Sequence, residues 1–255
     1  MLRPGRSRPW VIAHRGASAA CPENTVPAFD AALASGCDAV ELDVQLSADG
    51  IPVVFHDRTL RRLGLPRVRV RDRALADLRR LDAGGWFEAG FRGQRLLTLE
   101  QVLRRYLRRT RLLVELKVRE RDRADGHHRR LAAAVAAVLG ARDPDHRAAV
   151  LSFDAEVLSA VREARPGVTT VRNLQVPRRV GPGLHAELDA VDMVSADHRT
   201  LTPAFASAWR ERGKPLLVFT CNTAPAVRRA LACGVDGIMS DRPGWLRDLV
   251  AVEPR

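Results

Sequence analysis

The sequence of 255 residues predicts a closed (β/α)8 barrel, the TIM-barrel architecture, formed by a single domain that spans residues 1–255. Short runs rich in Val, Ile and Leu alternate with stretches rich in Ala, Leu and Arg, which is typical of parallel strands joined by helices. Eight strand signals over about 250 residues match the usual size of this barrel. The predicted strands are 11–14, 39–44, 112–117, 150–153, 169–173, 191–195, 216–220 and 237–240.

Helices are predicted between these strands from the stretches rich in Ala, Leu and Arg. The catalytic groups of such a barrel come from the C-terminal ends of its strands, so the candidate functional residues are sought there. The predicted helices are 26–35, 99–108, 129–139, 155–165, 203–212 and 224–232.

One further strand signal, at 52–56, does not fit the repeat, because it follows the second barrel strand after a very short link. Asp49-Gly50 between apolar runs predicts an antiparallel hairpin. A two-residue turn would place Asp43 opposite His56 and bring that histidine beside a carboxylate. About forty residues, 58–97, follow before the next helix, a length that predicts a functional insertion on the upper face of the barrel.

The segment 61–80 within this insertion is strongly basic. It is either a solvated face or a lid or wall for an anionic substrate. The formal net charge is +12, and because Lys occurs only at 117 and 214, Arg supplies 40 of the 42 basic residues. These arginines are spread along the chain and no nucleic-acid-binding motif occurs, so no nucleic-acid partner is predicted.

The four cysteines, Cys21, Cys37, Cys221 and Cys233, have no C-x-x-C spacing, so reduced thiols are expected and neither a zinc site nor a disulfide framework. The basic N-terminus runs into residue 11 without the apolar region of a signal peptide. No apolar stretch approaches the roughly 18 residues of a transmembrane segment. We therefore expect a soluble, cytoplasmic protein, with peripheral contact to anionic lipid left open.

Three carboxylates are predicted at neighbouring strand ends. Alternation along the strand places Glu41 and Asp43 on the face opposite to the apolar residues, and the same rule groups Glu115 with Lys117. Such acids repel one another unless a cation lies between them, and oxygen ligands favour Mg²⁺, Ca²⁺ or Mn²⁺ over zinc. The alternative is three separate salt bridges to the many arginines.

Two histidines are predicted at the same rim, His14 at the end of the first strand and His56 after the hairpin. A single strand-end histidine is more often structural, but two beside three acids suggest catalysis. Phosphodiester cleavage needs a base, an acid and positive charge where the phosphorane develops. Imidazoles, a metal, Arg15 and Lys117 supply all three.

Three other histidines lie outside this group. His198 follows the sixth strand at the catalytic end, where it either contacts substrate or belongs to a surface loop. His127 and His128 follow a highly charged segment, so we expect them to be solvated and assign them no role.

The order and spacing of these residues resemble the linear motif of the glycerophosphodiester phosphodiesterase family over nearly the whole chain. One stretch, Phe219-Thr220-Cys221-Asn222, departs from the tryptophan-containing version common in that family, so the shape of one pocket wall is expected to differ. The matching elements are His14-Arg15-Gly16, Pro22-Glu23-Asn24-Thr25, Glu41-Leu42-Asp43-Val44, Asp49-Gly50, His56-Asp57, Glu115-Leu116-Lys117, Ser152-Phe153, Gly234-Val235-Asp236-Gly237-Ile238 and Ser240-Asp241-Arg242-Pro243.

The resemblance implies metal-dependent hydrolysis of a small glycerophosphodiester to sn-glycerol 3-phosphate and an alcohol. It implies one hard divalent cation as cofactor, Ca²⁺ or Mg²⁺ with Mn²⁺ as an alternative. Glu23 and Asn24 are implied to orient the rim, although they could equally fix the loop through caps and turns. The other implied roles are metal ligand for Glu41, Asp43 and Glu115, acid or base for His14 and His56, and phosphate contact for Arg15 and Lys117.

Two alternatives to this reading remain. Related barrels with similar motifs have phospholipase D-like or lysophospholipase D-like activity on lipids, although no exposed apolar segment favours it here. A barrel that binds phosphodiesters without turnover is the non-enzymatic alternative, and the intact histidines and acids speak against it. The attacking oxygen is either water or the glycerol 2-hydroxyl of the substrate, which would give a cyclic phosphate first.

Overall fold

The computed structural model describes residues 8–119, 121–143, 147–175 and 187–253. Eight parallel strands form a closed barrel, because the first strand pairs with both the second and the last. A ninth strand, the third in chain order, is antiparallel to the second. The strands are β1 (Trp10–His14), β2 (Ala39–Leu46), β3 (Pro52–Val54), β4 (Arg111–Leu116), β5 (Ala148–Ser152), β6 (Thr169–Leu174), β7 (Met193–Asp197), β8 (Leu216–Phe219) and β9 (Gly237–Ser240).

The helices lie between successive strands, so the predicted fold class is confirmed. For the predicted elements, observed and predicted bounds differ by at most three residues, and the largest shift falls at the end of the fifth helix. The last helix and two short helices, at 75–78 and 121–124, are not among the predicted ones. The helices are α1 (Val26–Ala34), α2 (Leu75–Leu78), α3 (Leu99–Tyr106), α4 (Arg121–Ala124), α5 (His127–Arg142), α6 (Ala155–Ala164), α7 (Pro203–Arg210), α8 (Ala224–Ala232) and α9 (Pro243–Val252).

Strand alternation separates two apolar layers. On β1, Val11 and Ala13 belong to the large cluster between strands and helices, whereas Trp10 and Ile12 belong to a smaller cluster inside the barrel. Ala39 of β2 also lies in the inner cluster. Apolar side chains therefore fill the lower barrel, and the inward positions that follow them are polar and line the mouth at the C-terminal strand ends.

The hairpin between β2 and β3 has a longer turn than predicted. The N–H of Ser47 donates to the carbonyl of Ile51 at 3.0 Å, so three residues, 48–50, form the loop. Gly50 has φ +78°, the left-handed conformation that a three-residue hairpin loop requires. The register is therefore shifted by one residue. Asp43 pairs with Phe55 through a 3.0 Å backbone hydrogen bond, which corrects the predicted pairing of Asp43 with His56.

The insertion between β3 and α3 folds around its own apolar cluster, which includes Leu60, Val70 and Leu78 together with Val53 of the hairpin. A hydrogen bond also connects the insertion to the loop between β2 and β3, since the Asp49 carboxylate accepts the backbone N–H of Leu75 at 3.0 Å. This separate core fixes the insertion above the barrel mouth.

Two other predictions concern the chain as a whole. All four cysteines are free, and Cys221 and Cys233 are buried. Among the described residues, no helix combines the length and the apolar character needed to cross a membrane.

Candidate active site

The parallel register brings the predicted acids together. On β1 and β2, His14 lies beside Glu41, and on β2 and β4, Asp43 lies beside Glu115. The three acids are only 0–7% exposed, and one carboxylate oxygen from each lies within 4.8 Å of the others. The barrel mouth therefore contains three buried carboxylates in mutual contact range.

Two cations neutralise part of this charge. The Lys117 Nζ lies 2.9 Å from Asp43 Oδ1 and 2.5 Å from Glu115 Oε1, and the Arg15 Nε lies 3.1 Å from Asp43 Oδ2. Burial lowers the pKa of both cations, but the neighbouring acids outweigh it and raise each pKa above its ordinary value. Burial likewise raises the pKa of Asp43, but Lys117 and Arg15 outweigh it and hold that pKa well below its usual range.

Glu41 is the carboxylate that these cations leave incompletely balanced. Its Oε2 accepts the backbone N–H of Arg15 at 3.0 Å, but its buried Oε1 has no hydrogen-bond partner within the described part of the chain. Burial, followed by repulsion from Asp43 and Glu115, raises the pKa of Glu41 well above its usual value. A buried carboxylate oxygen without a partner is costly, so this donor set fits a hard cation.

The loop after β1 is held in a strained conformation. Arg15 and Asn24 have positive φ values of 56° and 60°, which cost about 1–3 kcal/mol each in non-glycine residues and cluster at functional sites. Asn24 donates from Nδ2 to Asp43 Oδ2 at 2.8 Å, so the strained loop orients this carboxylate. Gly16, between them in sequence, approaches Ala28 so closely that a Cβ would lie 2.6 Å from its backbone.

Glu23 connects this loop to the insertion. Its carboxylate lies 3.3 Å from Arg15 Nη1 and 3.0 Å from Arg62 Nη1. The Arg62 guanidinium also lies over the ring of Trp86, 4.4 Å from its centroid. Glu23 therefore holds two arginines at the rim.

The ring of His14 is oriented by the carboxylate of Asp241, the residue that follows the last strand. Its Nδ1 lies 2.6 Å from Asp241 Oδ1, which also accepts the Ser18 hydroxyl at 3.1 Å. Asn222 donates from Nδ2 to Asp241 Oδ2 at 2.6 Å and accepts the Asp241 backbone N–H at 2.9 Å. Burial raises the pKa of Asp241, but these hydrogen bonds outweigh it and lower that pKa.

His56 has a corresponding partner. Its Nδ1 lies 3.0 Å from Asp57 Oδ1, and Arg62 donates to the same carboxylate at 2.5 and 2.6 Å. Burial opposes these bonds, which nevertheless lower the pKa of Asp57 to about 2. The Gln45 carboxamide donates to the carbonyls of Phe55 and Asp57 at 2.8 and 2.9 Å, fixing the backbone on both sides of His56. In both rings a carboxylate occupies Nδ1, which leaves Nε2 for a reacting oxygen.

One cavity of about 470 Å³ at the barrel mouth contains both histidines with the acids Glu41 and Glu115. Its opposite wall includes Phe153 and Phe219, whose rings meet edge to face with centroids 5.8 Å apart. This wall contains the stretch that departs from the tryptophan-containing family motif. The remaining lining residues are Arg15, Lys117, Leu151, Asn173, Gln175, Asp197, His198, Arg199, Thr220 and Met239.

The other three histidines considered in the sequence lie in two places, His198 at the cavity and His127 and His128 in α5. His198 lines the cavity, and burial is the main cause that lowers its pKa. His127 and His128 are only 6% exposed, so the expectation that they are solvated is wrong. They lie in the first turn of α5 close to the Arg71–Asp122 ion pair, and His128 Nδ1 faces the carbonyl of Asp122 at 3.3 Å.

The contacts of Asp241 and Asn222 at His14, and those of Gln45 and Arg62 at His56 and Asp57, are not predicted from the sequence. There, Asp241 is recognised only as part of a motif, and Asn222 only as part of an atypical stretch. The signal that could have found Asp241 is barrel closure, because β9 pairs with β1 and Ser240 aligns with Ala13. Gln45 and Arg62 have no comparable signal in the linear sequence.

The sequence model of the Glycerophosphoryl diester phosphodiesterase family matches residues 14–245, a range that includes every candidate site residue described above. The chain belongs to this family.

Individual members of the glycerophosphodiester phosphodiesterase family match nearly the full chain. YhdW of Bacillus subtilis is 34% identical over 93% of this chain and 96% of its own length. A glycerophosphodiester phosphodiesterase of the same organism is 29% identical over 95% of this chain and 86% of its own length. A phosphodiesterase from Oleispira antarctica, solved with the product sn-glycerol-3-phosphate, superposes with a TM-score of 0.86 at 27% identity, covering 96% of this chain and 97% of its own. The predicted family and enzyme class are confirmed.

Proposed function

We propose that this protein hydrolyses glycerophosphodiesters to sn-glycerol 3-phosphate and an alcohol, with a divalent metal as cofactor. The main support is that His14 and His56 line one cavity together with Glu41 and Glu115, two members of the cluster of three carboxylates that Asp43 completes. The phosphodiesterase from Oleispira antarctica has sn-glycerol-3-phosphate as its product, which supports the same product here. The four free cysteines fit a reducing compartment, so a cytoplasmic location is part of the proposal.

The proposed metal ligands are Glu41, Asp43 and Glu115. The unpartnered Oε1 of Glu41 and the all-oxygen donor set support Ca²⁺ or Mg²⁺, with Mn²⁺ as an alternative. When bound, such an ion would supply positive charge against the phosphate oxygens.

The chain's own residues supply the remaining chemistry. Arg15 and Lys117 line the cavity as cations and are proposed to contact the phosphate, while Glu23 and Asn24 hold the loop that carries Arg15. One histidine takes the proton of the attacking oxygen from water or from the glycerol 2-hydroxyl. The other protonates the leaving oxygen of the alcohol.

A turnover screen tests this function. Glycerophosphocholine, glycerophosphoethanolamine and glycerophosphoglycerol are incubated with the protein and Ca²⁺, Mg²⁺ or Mn²⁺, and released sn-glycerol 3-phosphate is measured enzymatically. Lysophosphatidylcholine is included to test the lysophospholipase D-like alternative. Failure of every soluble diester to release sn-glycerol 3-phosphate with any of the metals would refute the proposal.

The contact between Asp241 and His14 predicts a positioning role for Asp241. Asp241→Asn keeps the size of the side chain but removes the charge that fixes the ring, so kcat is expected to fall by about 10²-fold. Steady-state kinetics on glycerophosphoglycerol measure this loss.

A double-mutant cycle separates positioning from general structure. If Asp241 acts through His14, Asp241→Asn has little further effect on kcat in a His14→Ala background. Asp38→Asn is a matched control, because Asp38 accepts the N–H of Val11 at the opposite end of β1. Full additivity of the two losses would contradict the positioning role.

A further inference from the structure

A second cavity of about 500 Å³ adjoins the catalytic one, and four residues line both: His56, Glu115, Lys117 and Phe153. A phosphate seated beside His56 and Lys117 therefore has one side open to the catalytic cavity and the other to this second cavity. We call the second cavity the side pocket. Its other lining residues are Asp57, Arg58, Thr59, Arg61, Leu116, Val118, Arg119 and Ser152.

Positive charge dominates the side pocket. Both of its carboxylates are engaged, Asp57 by Arg62 and Glu115 by Lys117. By contrast, Arg58 and Arg61 are exposed, and neither forms an ion pair or side-chain hydrogen bond with any other described residue. Two arginines without a counter-charge among the described residues thus line the side pocket.

This lining selects against a cationic alcohol. Recognition of a quaternary ammonium such as choline relies on several aromatic faces or on anions, and the side pocket has one aromatic residue, Phe153. A phosphate, by contrast, suits guanidinium groups, because they donate paired hydrogen bonds in a fixed planar geometry. The chemistry of the wall therefore favours an anion beyond the reacting phosphate.

We propose, on the basis of the proposed function, that the side pocket binds a leaving alcohol that itself carries a phosphate. The preferred substrates are then glycerophosphodiesters with a second phosphate on the alcohol, such as phosphorylated glycerophosphoglycerol. Hydrolysis consumes one water: the bond between the reacting phosphorus and the alcohol oxygen breaks, the water oxygen ends up bonded to phosphorus, and the alcohol oxygen gains a proton. The second phosphate leaves with the alcohol, and Arg58 and Arg61 determine the specificity.

This assignment gives a role to part of the basic segment 61–80. Other arginines of the segment are occupied, since Arg71 pairs with Asp122 at 2.7 Å and Arg69 with Asp72 at 2.8 Å. Within the segment, Arg61 is the arginine that belongs to the insertion and also lines the side pocket. The segment is thus neither entirely a solvated face nor entirely a substrate wall.

The test compares two substrates that differ only in one phosphate, glycerophosphoglycerol with and without a phosphate on its far primary hydroxyl. The parent is expected to show about 10-fold higher kcat/KM for the phosphorylated substrate at low ionic strength, and salt is expected to reduce this preference. The double variant Arg58→Gln/Arg61→Gln should bring the ratio of the two kcat/KM values close to one. Arg67→Gln/Arg79→Gln is the matched control, because it removes the same two charges from exposed positions of the insertion outside the pocket lining.

The outcomes are distinguishable. A parent ratio near one, or a ratio that survives the double substitution, would overturn the specificity assignment while leaving glycerophosphodiester hydrolysis intact. Failure of both substrates to release sn-glycerol 3-phosphate would overturn the proposed function itself and the assignment with it. Thermal unfolding of the double variant checks that the insertion still folds, and both substituted side chains are exposed, so unfolding at the parent's temperature is expected.

Discussion

Alanine in place of His14 or His56 is expected to lower kcat on a glycerophosphodiester by about 10²–10⁴-fold, the range typical of general acid–base catalysis. Both rings line one cavity, and a carboxylate holds the Nδ1 of each at 2.6 or 3.0 Å. Each Nε2 is thereby left free of this carboxylate, and we propose that each takes part in a separate proton transfer. Steady-state kinetics with glycerophosphoglycerol give the two losses, and thermal unfolding shows whether each variant retains the parent's stability.

A second substrate separates the two roles. An alcohol of high pKa needs a proton as it leaves, whereas nitrophenolate departs without one. The variant that lacks the acid should therefore recover most of its activity on glycerophospho-p-nitrophenol, and the variant that lacks the base should not. Equal recovery of both variants would rule out this division of labour. A loss of less than about tenfold in both on the natural substrate would contradict the two-histidine mechanism. His127→Gln, a buried histidine outside the cavity lining, is the control.

The inward direction of the acids could be predicted from the sequence, because it depends only on the two-residue period of a strand. Val40, Leu42 and Val44 pack outward against the helices, so Glu41 and Asp43 point to the barrel mouth. The same local rule applies to Glu115. Neighbouring parallel strands then bring these positions together through a register that barrel closure imposes.

The turn between β2 and β3 shows where such local rules fail. Asp49-Gly50 signals a hairpin, but two-residue and three-residue loops both use glycine with positive φ. The hairpin has the three-residue loop, since the N–H of Ser47 donates to the carbonyl of Ile51. The register of the strand pair therefore differs by one residue from the predicted register. His56 still reaches the cavity, because it lies beyond the last paired residue and its backbone is fixed by Gln45.

The partner of His14 could not be predicted because the contact is distant in sequence. Asp241 reaches His14 only because the last strand pairs with the first. Likewise, Arg62 reaches Glu23 only because the insertion folds over the rim around its own core. These distances follow from tertiary packing, which no period in the sequence encodes.

Removal of divalent metal is expected to abolish turnover, and Glu41→Gln, Asp43→Asn and Glu115→Gln are each expected to weaken metal affinity by at least about tenfold. Each substitution removes an anionic oxygen from a buried group that two cations only partly balance. Calorimetric titration of the metal-free proteins with divalent metal measures their metal affinities. Glu100→Gln, in an exposed ion pair with Arg142 on the outside of the barrel, is the matched control.

Thermal unfolding gives a readout that does not depend on activity. A ligand at one hundred times its Kd stabilises a folded protein by about 2.7 kcal/mol, so the parent's Tm should rise clearly with metal. Glu41→Gln should differ from the parent both without and with metal. Without metal it should be at least as stable as the parent at neutral pH, because it removes a buried carboxylate whose ionised form is costly, as its raised pKa indicates. With metal it should gain much less.

The difference in stability between Glu41→Gln and the parent is thus expected to change sign when metal is added. This change distinguishes a metal site from a set of salt bridges in the carboxylate cluster. If Glu41, Asp43 and Glu115 held no cation, chelation would leave the parent's Tm and turnover unchanged, and Glu41→Gln would change stability by the same amount with and without metal. If they hold a cation, the same substitution raises or preserves stability without metal and lowers it relative to the parent with metal. Full turnover after exhaustive chelation, or metal binding by all three variants with the parent's affinity, would show that the metal-ligand assignment is wrong.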